Sequence, residues 1–162
     1  MKPVARLALA ACLALGSCTS GPSGDGDNIA QNVALGRRVF TEIYGAGKVS
    51  LVDQLYTDDF VDDSPGGGKG RDRIKEAVAE FHKTFPDLRI DMEDAFAIDD
   101  KVVLRYAAHG TQTGPYGQIP PTGMAVTVRG ITIFGIVNGK IKTEWTEYDR
   151  LGVLRQLRIV PY

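Results

Sequence analysis

Cysteine is nearly absent from this chain of 162 residues: it has two, Cys12 and Cys18, and both lie in the leader. Everything after them is therefore without a disulfide and without thiolate chemistry. Histidine is as scarce, with only His82 and His109 and no H-x-x-x-H spacing, so the residues offer no metal centre. Neither sign of charge dominates, at 19 basic against 20 acidic residues. Removing Lys2 and Arg6 with the leader leaves 17 basic ones, a near-balance that excludes the basic face nucleic acid needs. No apolar run reaches the ~20 residues that span a bilayer.

What is present begins with a targeting segment. Lys2 and Arg6 precede an apolar run from Leu7 to Leu15, the layout of a bacterial secretory signal. Leu15-Gly16-Ser17-Cys18 resembles a lipobox: a branched residue, two small ones, then the Cys that is lipidated and becomes the new N-terminus. Leu9-Ala10-Ala11-Cys12 fits the same pattern but leaves too short an apolar region. Residues 1–18 are thus read as a lipoprotein signal. No Asp follows Cys18, so the cell envelope is expected on the outer-membrane or periplasmic side, with a lipid anchor as the only membrane contact. Residues 19–27 lack apolar side chains and are rich in Gly and Ser, the composition of a flexible tether.

Residues 28–162 have one domain's length. Ile29, Val33, Val39, Phe40, Ile43 and Tyr44 recur near helical spacing up to Gly45. A short second helix is expected over Val49 to Tyr56, with Phe60 packing after it. Ser64 to Gly70 is a loop by composition, and its Gly-Lys lacks the spacing of a phosphate loop. A third helix is expected over Arg71 to Thr84, with Ile74, Val78, Phe81 and Phe85 on one stripe. Strands follow: Leu88 to Ile98, Val102 to Thr113, Ala125 to Val137, and one from Gly139 onward. Asn138-Gly139 is a strong hairpin signal. The expected fold is α+β: a cone-shaped, curved antiparallel sheet of about four strands on three N-terminal helices.

Alternation in the last strand puts Ile141, Trp145 and Asp149 on one face. With a two-residue turn, Asp149 faces Val128, Trp145 faces Thr132 and Thr143 faces Phe134. The Trp side is expected to point inward, taking a carboxylate with it. Apolar walls with sparse polar groups are how a small-molecule pocket is lined. Asp149 has a competing role, since Asp is a favoured N-cap and an Arg150–Leu157 helix follows.

The same residues resemble a known family. The matching stretches are Thr84-Phe85-Pro86-Asp87-Leu88, Met92-Glu93-Asp94, Asp100-Lys101-Val102-Val103 leading to Arg105, Gly110-Thr111-x-Thr113-Gly114 and Ile119-Pro120-Pro121-Thr122-Gly123. Gly139-Lys140-Ile141 and Glu144-Trp145-x-x-x-Asp149-x-Leu151-Gly152 complete them, with Leu154 and Gln156-Leu157. In order and spacing they resemble the SnoaL-like polyketide cyclases, or ester cyclases, of the superfamily shaped like nuclear transport factor two. The resemblance implies a deep pocket between sheet and helices. It also implies intramolecular aldol chemistry with neither metal nor cofactor, and Asp149 as general acid/base. Trp145, Gln112, Asp63, His109 and Phe134 are the expected pocket-lining residues. Members commonly carry His at the positions of Asp63 and Gln112 and Arg at that of Gly135, so the acid's usual helpers are replaced. Two readings from different classes remain: a cyclase acting on a small carbonyl compound, and a non-catalytic lipoprotein holding a small apolar ligand. A third, isomerase or epoxide hydrolase chemistry, needs other polar partners around the pocket. Ile131 and Ile133, apolar on the outer sheet face, permit a homodimer.

Overall fold

Helices lead and strands follow. The computed structural model describes residues 25–161, so Cys18 and the lipobox lie outside it. Helix α1 is Asp25–Arg38 and continues as a π-helical stretch, Val39–Gly45; a 3-10 turn at Val49–Leu51 leads into the short helix α2, Val52–Leu55. Then come β1 (Tyr56–Asp62), β2 (Gly68–Lys69), α3 (Asp72–Thr84), β3 (Arg89–Ile98), β4 (Lys101–Thr111), β5 (Ala125–Val137), β6 (Lys140–Tyr148) and α4 (Arg150–Gln156). No helix among the described residues is long and apolar enough to cross a membrane.

Two features depart from the expectation. Helix α1 begins three residues inside the stretch read as tether. The sheet has six strands in the order β2-β1-β6-β5-β4-β3, not four, and it is mixed because β1 runs parallel to β6. Tyr56, the expected end of the second helix, instead opens a strand that runs to Asp62. Its buried residues are Tyr56 and Phe60, whose spacing of four does not distinguish helix from strand. The helices cover one face of this curved, unclosed sheet.

The core lies between them. Phe40 and Ile43 of the π-helical stretch pack with Val102, Leu104, Phe134, Ile136 and Ile141 of the sheet, all nearly or fully buried. Each such side chain stabilises the fold by roughly 1.5–3 kcal/mol through area removed from water. The π-helical stretch also carries Tyr44, whose ring centroid lies 5.4 Å from that of Phe40.

The hairpin determines what faces that core. Asn138 and Gly139 both take positive φ, 50° and 70°, as a type I′ turn requires. The first pairs are the expected ones, Val137 with Lys140 and Ile136 with Ile141. Then Gly135 pairs with Thr143, and the ladder runs on one residue out of step, with Phe134 opposite Glu144 and Thr132 opposite Thr146. Lys142 is the extra residue of a β-bulge. A one-residue shift turns every later side chain to the other face. Glu144 and Thr146 therefore point inward, and Trp145 points out with 51% exposure.

Candidate active site

Between the sheet and α3 lies a cavity of about 420 Å³, within the range of small-molecule sites. One wall is apolar: Phe81 and Ile74 of α3 face Leu88, Ile90 of β3, and Val126 and Val128 of β5. The other end is polar and is built by β6 and its neighbours. The bulge at Lys142 turns Glu144 inward, and the parallel pairing of β1 sets Asp62 directly beside it.

Glu144 is 6% exposed. Its Oε1 accepts from the Thr146 hydroxyl at 3.1 Å and from the Tyr44 hydroxyl at 3.3 Å. With its one proton given to the carboxylate, Thr146 in turn accepts from Thr132 Oγ1 at 2.7 Å. Oε2 of Glu144 is buried and has no hydrogen-bond partner. Burial, and then the neighbouring Asp62 charge, push the Glu144 carboxyl up to about 7. Asp62 is itself held in place. Its Oδ1 accepts from the Ser64 N–H at 2.9 Å, and Ser64 Oγ accepts from the Thr146 N–H at 2.8 Å. Around the carboxyl the phenols of Tyr44 and Tyr56 are pushed upward, chiefly by burial, and so keep their protons.

Asp149, the expected acid/base, is elsewhere. Its side chain is exposed and caps α4, Oδ1 accepting from the Gly152 N–H at 2.7 Å. It is not among the lining residues, because the bulge has moved the inward face to Glu144, Thr146 and Tyr148. The same slip removes Trp145 from the pocket to the outer face, opposite Ile133. Phe134 is fully buried beneath Phe40, in the core below the cavity rather than in its lining.

Gln112 is fully buried and committed to the long β4–β5 connection. Its Nε2 donates to the carbonyls of Gly114 and Pro120, at 2.9 and 3.0 Å, and its Oε1 accepts from the N–H and hydroxyl of Thr122. Nothing of its amide is left for a ligand. Asp63 is exposed and serves through its backbone, its N–H donating to the Glu144 carbonyl at 2.8 Å. His109 stands at the cavity's edge. Its ring, however, is turned to the opposite sheet face, with Nδ1 2.9 Å from Thr127 Oγ1 and Nε2 3.2 Å from Asp91. At the mouth, the hydroxyls of Tyr116 and Tyr148 lie 3.3 Å apart.

Glu144, Asp62 and Tyr44, with Tyr106 of β4 in the same lining, are the polar residues that periodicity missed. The available signal was the glycines inside β5, since an isolated Gly in a strand marks a bulge or a close approach. A Cβ on Gly135 would lie 2.4 Å from Thr143 Oγ1, at the bulge itself. A Cβ on Gly130 would lie 2.5 Å from the Tyr106 phenol oxygen, which crosses β5 there.

The chain was also compared with known proteins. No curated protein matches it. Solved structures do. A protein named as a SnoaL-like polyketide cyclase from Jannaschia sp. CCS1 is 26% identical with a TM-score of 0.75, covering 82% of this chain and 95% of its own. TsrD from Streptomyces laurentii is 28% identical with a TM-score of 0.74, over 81% and 97%. A protein named as a polyketide cyclase from Bacillus cereus ATCC 10987 is 26% identical with a TM-score of 0.72, over 87% and 89%. With residues 34–157 matching the profile of SnoaL-like polyketide cyclases, this chain belongs to that family.

Proposed function

We propose that this chain is a cyclase-type acid/base enzyme acting on a small carbonyl compound, with Glu144 in the proton-transfer role and no cofactor. The observation that carries this reading is the bare Oε2 of Glu144. Glu144 lines the polar end of an otherwise apolar cavity, its Oε2 is buried without a hydrogen-bond partner, and its carboxyl is pushed up to about 7. A general base works best when its pKa lies near the operating pH. As carboxylate, Glu144 takes a proton from the carbon beside a carbonyl, and the C–H electron pair becomes an enolate. The enolate carbon then bonds to a second carbonyl carbon of the same molecule. The proton on Glu144 passes to the alkoxide so formed, closing the ring and restoring the carboxylate.

The test is turnover of β-dicarbonyl compounds with a second, internal carbonyl. Glu144→Gln keeps the shape and removes the base, so a fall of at least a hundredfold in kcat is expected. For the unaltered chain, kcat/KM is expected to rise through pH of about 7. Unchanged turnover in Glu144→Gln sinks the reading. The non-catalytic alternative draws on the apolar wall, and it gains if ligands bind both forms equally and neither turns them over. The same proposal places the activity at the bacterial envelope through Cys18; loss of labelled-palmitate incorporation in Cys18→Ser tests that part.

A further inference from the structure

A base alone does not make an enolate. The negative charge develops on the carbonyl oxygen, and in an apolar cavity it needs a donor already in place. Tyr106 lines the cavity from β4 and is 8% exposed. Its ring is fixed against Phe40, with centroids 4.7 Å apart. Its register partner is Gly130, and a side chain there would lie 2.5 Å from the phenol oxygen and 2.7 Å from the carbon bearing it. The phenol therefore reaches across β5 through a gap that only glycine leaves open. On the same cavity floor, Thr132 and Thr146 form the two-hydroxyl step that ends on Glu144 Oε1.

From this arrangement we infer that Tyr106 is a second catalytic residue, its O–H holding the substrate carbonyl oxygen while Glu144 removes the neighbouring proton. The inference rests on the proposed role of Glu144. The step balances without any further reagent. The C–H bond breaks, the proton goes to Glu144 Oε2, and the pair enters the C–C–O system. The charge settles on the oxygen that accepts from Tyr106. The phenol keeps its own proton throughout, because burial, and then the charges of Glu144 and Tyr148, raise it well above a free tyrosine. The substrate class that this pair selects is an enolisable ketone or β-keto ester. A carboxylic acid substrate, already charged at its oxygen, gains nothing from it.

Deuterium exchange at the C2 position of ethyl 2-methylacetoacetate, followed by proton NMR, separates this step from ring closure. The unaltered chain is expected to exchange the proton faster than buffer does. Tyr106→Phe, which keeps the ring packing, is expected to lower kcat for exchange by roughly 10²–10³-fold with KM changed little, as removal of an oxyanion donor does. Thermal melts of the variant report whether it is folded. Exchange in Tyr106→Phe within threefold of the unaltered chain overturns the inference, as does exchange by the unaltered chain no faster than buffer. Loss in Glu144→Gln with Tyr106→Phe unaffected removes Tyr106 alone. Loss in Tyr106→Phe with Glu144→Gln unaffected keeps the phenol and removes Glu144 from its role.

Discussion

A residue's identity and its job separate most clearly at Asp149. In the family pattern this position is the acid/base, yet here its carboxylate closes the first turn of α4 in solvent. Capping contributes about 1 kcal/mol, and Asn caps as well as Asp. Asp149→Ala is therefore expected to lower stability in urea titrations by about that amount, while Asp149→Asn stays near the unaltered chain. Both are expected to keep turnover within a few-fold. A hundredfold loss in Asp149→Asn returns the acid to this position. Glu144 was legible only as the motif letter before Trp145, with no role attached to it. What distinguishes it is burial with one carboxylate oxygen unpaired, and that belongs to its surroundings rather than to its residue type.

At the scale of elements, the helices and strands were readable because their apolar spacing is strong. Ala125–Val137 matches the expected strand, and Asp72–Thr84 differs from the expected helix by one residue. The hairpin was readable too, from Asn138-Gly139. The face of β6 was not. Alternation carries phase only while the ladder stays regular, and β5 is apolar on both faces, with Ile131 and Ile133 outside and Val126, Phe134 and Ile136 inside. Nothing in the pattern therefore opposed the wrong phase. Gly130 and Gly135 were the evidence available. Gly130→Ala is expected to cost roughly 2 kcal/mol, because its Cβ meets both the Tyr106 phenol and the Glu147 carbonyl, the latter at 2.9 Å. Chemical denaturation measures it, and a loss below about 0.5 kcal/mol contradicts the close approach. The π-helical stretch at Val39–Gly45 had no distinct signature in the spacing, though its buried residues did.

For the molecule as a whole, the buried carboxyl couples folding to pH. Glu144 is raised from an ordinary value of 4.5 to about 7 in the fold, so the native state holds its proton longer than the unfolded chain does. Stability then falls as pH rises from about 4.5 through about 7, and is level above. The shift corresponds to roughly 3 kcal/mol. Urea titrations between pH 5 and 8 are expected to show that decline in the unaltered chain and a much flatter profile in Glu144→Gln. Parallel profiles contradict a buried, proton-holding Glu144. This liability is what a site sacrifices to keep a base poised in an apolar chamber. The class of the fold was legible in the order of its segments, whereas β1 beside β6 was not, because a parallel pairing between distant segments leaves no local pattern. That pairing brings Asp62 to Glu144.

The bulge at Lys142 also bears on descent. Lys142 is the residue the ladder skips, so loss of its single codon would close the bulge and leave Thr143 opposite Gly135 and Glu144 opposite Phe134, with the chamber's acid in place. A chain of the same length that paired Lys142 instead would bring Thr143, Trp145 and Glu147 into the chamber together and turn Glu144 and Thr146 out of it. One skipped residue thus decides the whole chemical alphabet of a strand, so relatives need not share a working acid even when every motif letter agrees.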